Sequence, residues 1–182
     1  MPPRRLGLIG AECTGKSTLA QSLSVDLSGV VVSEYLRGFV DQHGRTPTQD
    51  EQYLILWNQS RAEEEAAAIT TQPVLIADPA PLMTAIYSVA YFDDSSLVEA
   101  GIAHARGYDL LVWCDDDIAW VADGGQRDGE VQRAHVHSVI REIVTGHLSA
   151  QDPPVLKVSG SVPQRIEAVR RVWLPEHPDE ST

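Results

Sequence analysis

Short apolar runs alternate with amphipathic stretches from one end of the chain to the other. Residues 6–9, Leu-Gly-Leu-Ile, form a run suited to a strand buried on both faces, and the stretch after it carries Leu19, Leu23 and Leu27 at helical spacing. The same pattern predicts strands over residues 30–33, 73–78, 109–114 and 155–158. Helices are predicted from about Thr48, over 81–106 with a break at Asp93-Asp94-Ser95-Ser96, over 131–148, and last through Ile166, Val169 and Trp173. Two of them open at capping-box spacings, Thr48-Gln-Asp-Glu51 and Ser161-Val-Pro-Gln164. Five strands separated by helices predict an α/β fold with a parallel sheet. No repeat or low-complexity linker interrupts the pattern, so residues 1–174 read as one domain and 175–182 as a polar tail.

Bulk properties narrow the function. The 182 residues suit one domain, and 43% hydrophobic content is ordinary for a globular protein. No stretch approaches the ~18 apolar residues of a membrane span. Arg4 and Arg5 before an apolar run imitate a leader peptide, but the run meets Glu12 and Lys16 too soon, which predicts a cytoplasmic chain. Cys13 and Cys114 give no disulfide framework, in keeping with a reducing compartment. A net charge of −12 argues against a nucleic-acid or anionic-membrane surface. It leaves room for a small phosphorylated ligand if the few cations converge, and Lys16, Arg37, Arg127 and Arg133 are the ones to follow.

The most specific signal is Gly10-Ala-Glu-Cys-Thr-Gly15-Lys16-Ser17, which fits the phosphate-loop pattern G-x-x-x-x-G-K-[ST] directly between a strand and a helix. Gly10 and Gly15 let the backbone turn its N–H groups inward, with Glu12, Cys13 and Thr14 between them, and Thr18 follows in the first helical turn. Lys16 suits the β/γ-phosphates of ATP, and Ser17 suits Mg²⁺.

Carboxylates come next. Asp78 ends an apolar strand, where it either organises Mg²⁺ or caps the next helix. Glu34 follows a strand and begins Glu34-Tyr-Leu-Arg37; it either orients an acceptor hydroxyl, with Arg37 on a phosphate, or forms a surface pair with Arg37. Asp115-Asp116-Asp117 reads first as a solvated loop. In Asp123-Gly-Gly-Gln-Arg127-Asp128 the glycines suit a lid over about 117–135 whose Arg127 closes on phosphates. Trp57, Trp120, Tyr53 and Tyr91 offer stacking surfaces or core. The histidines lack metal spacing, and His135 and His137 point to different sides of a helix.

The succession of phosphate loop, Glu34-Tyr-Leu-Arg37, strand-end Asp78, Trp120-Val-Ala-Asp123-Gly…Arg127-Asp128 and Val158-Ser-Gly160-Ser resembles the ribosylnicotinamide kinase domain of bacterial bifunctional NAD-biosynthesis regulators, over about residues 4–174. The resemblance implies a P-loop three-layer sandwich with a five-stranded parallel sheet and a helical lid. It also implies ATP- and Mg²⁺-dependent phosphorylation of the ribose 5′-hydroxyl of nicotinamide riboside. Lys16, Glu34, Asp78 and Arg127 become the expected catalytic residues. Glu34, Arg37, Trp57 and Asp78 are expected at the acceptor, and Gly160 beside adenine. Two departures matter: the family commonly has Asp-Thr-Asp where this chain has Asp78-Pro79-Ala80, and its lid lacks the extra residue near Gly125. Another nucleoside or small alcohol as acceptor, and a nucleotide-responsive switch, are the alternatives; no Asn-Lys-x-Asp signature supports guanine.

Overall fold

The computed structural model describes residues 1–119, 129–149 and 152–174. Five strands, β1 (Arg4–Ile9), β2 (Gly29–Ser33), β3 (Val74–Asp78), β4 (Leu110–Cys114) and β5 (Val155–Val158), form one sheet in the order β2-β3-β1-β4-β5. Every pairing is parallel. β3 and β4 are buried at all positions, which is why their sequences are apolar runs without alternation.

Helices cover both faces. On one, α1 (Lys16–Asp26) and α7 (Val162–Trp173) press Leu19, Leu23, Val169 and Trp173 onto Leu6, Leu8, Ile76 and Val112. On the other, α4 (Leu82–Phe92), α5 (Val98–Ala105) and α6 (Glu130–His147) pack Met83, Ile86, Ile102 and Ile140 against Ile9, Ala77 and Trp113. Each fully buried Leu or Ile contributes roughly 1.5–3 kcal/mol relative to exposure. The three layers are those expected of a P-loop sandwich. Among the described residues, no helix is long and apolar enough to cross a membrane.

Most predicted elements lie within a residue or two of their expected ends. Two differ in kind. A helix α2 (Tyr35–His43) follows β2 directly; it is short and carries Gly38, so the sequence reading passed over the i, i+4 spacing of Tyr35 with Phe39 and Leu36 with Val40. The capping box at Thr48 does form, but it opens a 3₁₀ turn at Gln49–Glu51 before α3 (Gln52–Ile69) begins. The predicted break in the long helical region lies between α4 and α5, where Asp93 adopts a left-handed conformation at φ 54°.

The parallel registers align the strand ends. Ser33 pairs with Asp78, Gly7 with Ala77, Ile9 with Trp113 and Cys114 with Val158. The residues just past the carboxyl ends of β1, β2 and β3 therefore share one edge of the molecule, the usual place for ligands in such sheets.

Candidate active site

At the end of β1 the chain turns tightly and starts α1 at Lys16, as predicted. Gly10 lies at φ 151°, and a Cβ there would come within 2.9 Å of the Cys114 carbonyl oxygen. Gly15 lies at φ 80°, in the left-handed region that favours glycine. Cys13 shares that region at φ 56° without being glycine. Thr14 is buried and its hydroxyl donates to the Ala11 carbonyl at 2.8 Å, closing the turn from inside. Ser17 is half-buried and Thr18 exposed in the first turn of α1.

Lys16 folds back over the loop, its ammonium donating to the carbonyls of Gly10 and Ala11 at 2.7 Å each. Burial pushes its pKa down, while Cys114, Glu34, Asp78 and Glu12 act electrostatically in the opposite direction. Those three carboxylates therefore lie near enough to act on the ammonium, in keeping with the alignment of strand ends. Asp78 is 7% exposed at the end of β3, and the Ala80 N–H donates to the Leu8 carbonyl at 2.9 Å. Ala80 is fully buried in the apolar cluster beside α4, so the absent second acid leaves no gap in the packing.

Glu34 sits at the junction of β2 and α2, where its Oε2 accepts from Arg37 Nε at 3.1 Å. Arg37 is mostly exposed, so the i, i+3 pair contributes little to stability. Two groups that the sequence did not single out join this corner. Tyr87, on α4, has its phenol pKa raised by burial and by the nearby charges of Glu34 and Glu12. Gln59, on α3, is 3% exposed and accepts from the Tyr35 N–H at 2.7 Å, fixing the start of α2 behind Glu34. Their signal was faint: a Tyr in an apolar helix and a Gln among charged residues. Trp57, on α3, is 46% exposed, with the Arg61 guanidinium 5.4 Å from its ring centroid.

A third missed residue is Arg165 of α7, only 1% exposed. Its Nη1 donates to the Thr14 carbonyl at 2.6 Å, its Nε to the Gly160 carbonyl at 2.9 Å and its Nη2 to Asp117 at 2.5 Å. The other Asp117 oxygen accepts from the Gly160 N–H at 2.5 Å. One guanidinium thus ties the phosphate loop to the Gly160 turn and to the loop after β4. This corrects the expectation that residues 115–117 are simply solvated, since Asp115 also accepts from Lys157 at 2.9 Å. Burial pushes the Cys114 thiol up to about 11 against the opposing pull of the Lys16 and Arg165 cations, so it is an un-ionised packing group. Arg133 is buried on α6 and donates to the Asp116 carbonyl at 2.7 Å. Arg127, Trp120 and Asp123, with most of the expected lid, lie outside the described residues.

The donor set fits a magnesium nucleotide. A Gly-bounded loop heads a helix N-terminus, an ammonium lies across it, and a hydroxyl (Ser17) and a carboxylate (Asp78) adjoin the loop and the ammonium.

Comparisons with known proteins agree with this architecture. NadR bound to NAD and AMP-PNP matches with a TM-score of 0.74 at 17% identity, covering 99% of this chain and 52% of that one. Deoxyadenosine kinase from M. mycoides, with products dCMP and dCDP, gives 0.66 at 15% identity over 92% of this chain and 97% of that one. Thymidylate kinase from Ehrlichia chaffeensis gives 0.68 at 13% identity over 95% and 100%. The chain spans about half the length of the NadR chain it matches. No curated protein matches its sequence. The AAA domain family matches residues 5–165, nearly the whole of the described fold, and the chain accordingly belongs to that family.

Proposed function

We propose that this protein is an ATP-dependent small-molecule kinase of the P-loop nucleoside-kinase type, and that its acceptor is the ribose 5′-hydroxyl of nicotinamide riboside. The observation that carries the proposal is the glycine-bounded turn that starts α1 at Lys16, with Glu34 and Asp78 at the carboxyl ends of β2 and β3 on the same edge of the sheet. Asp78 would serve any magnesium-nucleotide site, whereas Glu34, at the end of β2, is the carboxylate that favours a kinase over a nucleotide switch. The family resemblance over residues 4–174 supports nicotinamide riboside, and so does the fold shared with NadR in complex with NR (TM-score 0.75, 17% identity).

Catalysis is positioning plus electrostatics. The N–H groups of residues 10–18 and the Lys16 ammonium hold the β- and γ-phosphates, with the ammonium leaving the Gly10 and Ala11 carbonyls for phosphate oxygen. Ser17 and Asp78 would hold Mg²⁺, which supplies charge neutralisation at the transferring group. Glu34 or Asp78 accepts the proton of the acceptor hydroxyl as its oxygen bonds to the γ-phosphorus and the bond to the β-phosphate oxygen breaks, leaving ADP. Arg37 is placed beside Glu34 to contact the acceptor. Gly160 borders the adenine, and Arg127 belongs to the lid.

ADP release from Mg-ATP, measured with nicotinamide riboside, a panel of nucleosides and no acceptor, tests the proposal. Stimulation by nicotinamide riboside is expected. Stimulation by a different compound alone would replace the substrate and keep the reaction class. An acceptor-independent rate unchanged by every compound would overturn the kinase assignment in favour of a nucleotide switch.

A further inference from the structure

A second cluster of ligating groups lies at the other side of β4, outside the phosphate site. His137, on α6, is 5% exposed, and its Nδ1 is buried with no hydrogen-bond partner among the described residues. Leaving such an atom unpaired costs about 1–3 kcal/mol, so it calls for an explanation. The ring is held in place by Trp113, with centroids 5.1 Å apart. Its two nitrogens face two carboxylates: Nδ1 is 3.9 Å from Asp116 Oδ2, and Nε2 is 3.8 Å from Asp115 Oδ1. Both separations exceed hydrogen-bond length. An imidazole gives one nitrogen to a given ion, and the 3.9 Å between Nδ1 and Asp116 is near the roughly 3.4 Å between two donors that each lie about 2.1 Å from one ion at a tetrahedral angle. One ligand atom from each of the three residues falls within 4.8 Å of the others.

We infer that Asp115, Asp116 and His137 form a binding site for a divalent transition-metal ion of the zinc–manganese class, separate from the magnesium nucleotide. One imidazole with two carboxylates and no thiolate suits such an ion, whereas magnesium prefers oxygen ligands alone. Asp116 is 42% exposed on its side chain, which provides a way in from solvent.

Lys157 is the built-in competitor. Its ammonium lies 2.9 Å from Asp115 Oδ1 and 5.1 Å from the Trp113 ring centroid. The Lys157 side chain is 45% exposed and flexible, so an arriving ion displaces it from Asp115 while it stays against the indole. The site does not depend on the assignment of kinase activity.

The test is titration of the full chain with Co²⁺ in excess Mg²⁺ and without nucleotide, followed by d–d absorption and calorimetry. The wild type is expected to take up one equivalent. D116N and H137A should bind at least about thirtyfold more weakly, in the range lost when a metal's protein partners are removed. K157M, which removes the competing ammonium, should bind about tenfold more tightly. The double variant S17A/D78N should bind as the wild type does. Because H137A opens a cavity at a buried position, D116N, at the surface, carries the test alone. The proposal is overturned by no saturable uptake in the wild type, by full affinity in D116N, or by loss of uptake in S17A/D78N. Unchanged or weaker binding in K157M would remove Asp115 from the site.

Discussion

Arg165 donates from Nη1 to the carbonyl oxygen of Thr14 at 2.6 Å, although 151 residues separate the two in the chain. The contact brings the last helix to the first loop. Since the same guanidinium also holds Gly160 and Asp117, the turn expected beside adenine and the loop expected around phosphate share one anchor.

Replacing Arg165 by Met should therefore act on stability and nucleotide binding together. It leaves the Thr14 and Gly160 carbonyls and the Asp117 carboxylate without their shared donor, and loss of a buried charged partner costs roughly 3–5 kcal/mol. Arg165→Lys should recover little, because an ammonium cannot serve three directions held by a planar fork. Urea unfolding and ATP binding by calorimetry on both variants check this. A Met variant with wild-type midpoint and affinity would refute the anchor.

Lys16→Ala should abolish turnover while leaving the fold intact, since the ammonium touches only two loop carbonyls. Glu34→Gln keeps the shape and the contact to Arg37 but removes the base, and should lower kcat by about 10²–10⁴ with little change in ATP affinity. A much smaller loss would move the base to Asp78. Steady-state kinetics with the stimulating acceptor, alongside circular dichroism of each variant, separate chemistry from folding.

Much of this architecture was legible because it repeats. Strands such as Val74–Asp78 are uniform apolar runs, and Leu19 and Leu23 mark a helix face by spacing alone. The phosphate loop was legible because glycine and lysine are required at fixed offsets. Arg165 was not: nothing local distinguishes a buried arginine in Gln-Arg-Ile-Glu from the exposed Arg170 and Arg171 that follow it. Its partners come from three other places in the chain. His137 escaped for the same reason, because its neighbours Asp115 and Asp116 are on a different element. Helix α2 escaped because it is only nine residues long with Gly38 in its middle, although Leu36 and Val40 do stand at helical spacing.

The entry to α3 should carry an acid-sensitive contribution to stability. Glu51 closes the capping box on Thr48 and accepts from both terminal nitrogens of Arg45 at 2.7 and 2.8 Å. The Arg45 guanidinium first, and the Thr48 N–H next, bring its pKa from 4.5 to about 2. A depressed carboxylate pKa stabilises the fold above its unfolded value, and that contribution is lost as pH falls through the folded value. The difference in urea midpoint between wild type and Glu51→Gln is expected to be constant above about pH 5 and to shrink toward pH 2. A difference that grows on acidification would refute the assignment.

Far from the phosphate loop, Glu63 is fully buried and owes its tolerance to two partners. The Tyr108 hydroxyl donates to it at 2.8 and 3.0 Å, and His104 Nε2 lies 3.1 Å away. Burial, then the Glu63 charge, raises the Tyr108 phenol pKa well above its ordinary value, so the hydroxyl stays a donor at any physiological pH. Tyr108→Phe removes that donor with almost no change in shape and leaves part of a buried carboxylate unsatisfied. A loss of about 1–3 kcal/mol in unfolding free energy is expected, with kcat and ATP affinity unchanged. A double-mutant cycle with His104→Ala measures how far the two partners act together on Glu63. Wild-type stability in Tyr108→Phe would mean that His104 alone satisfies Glu63.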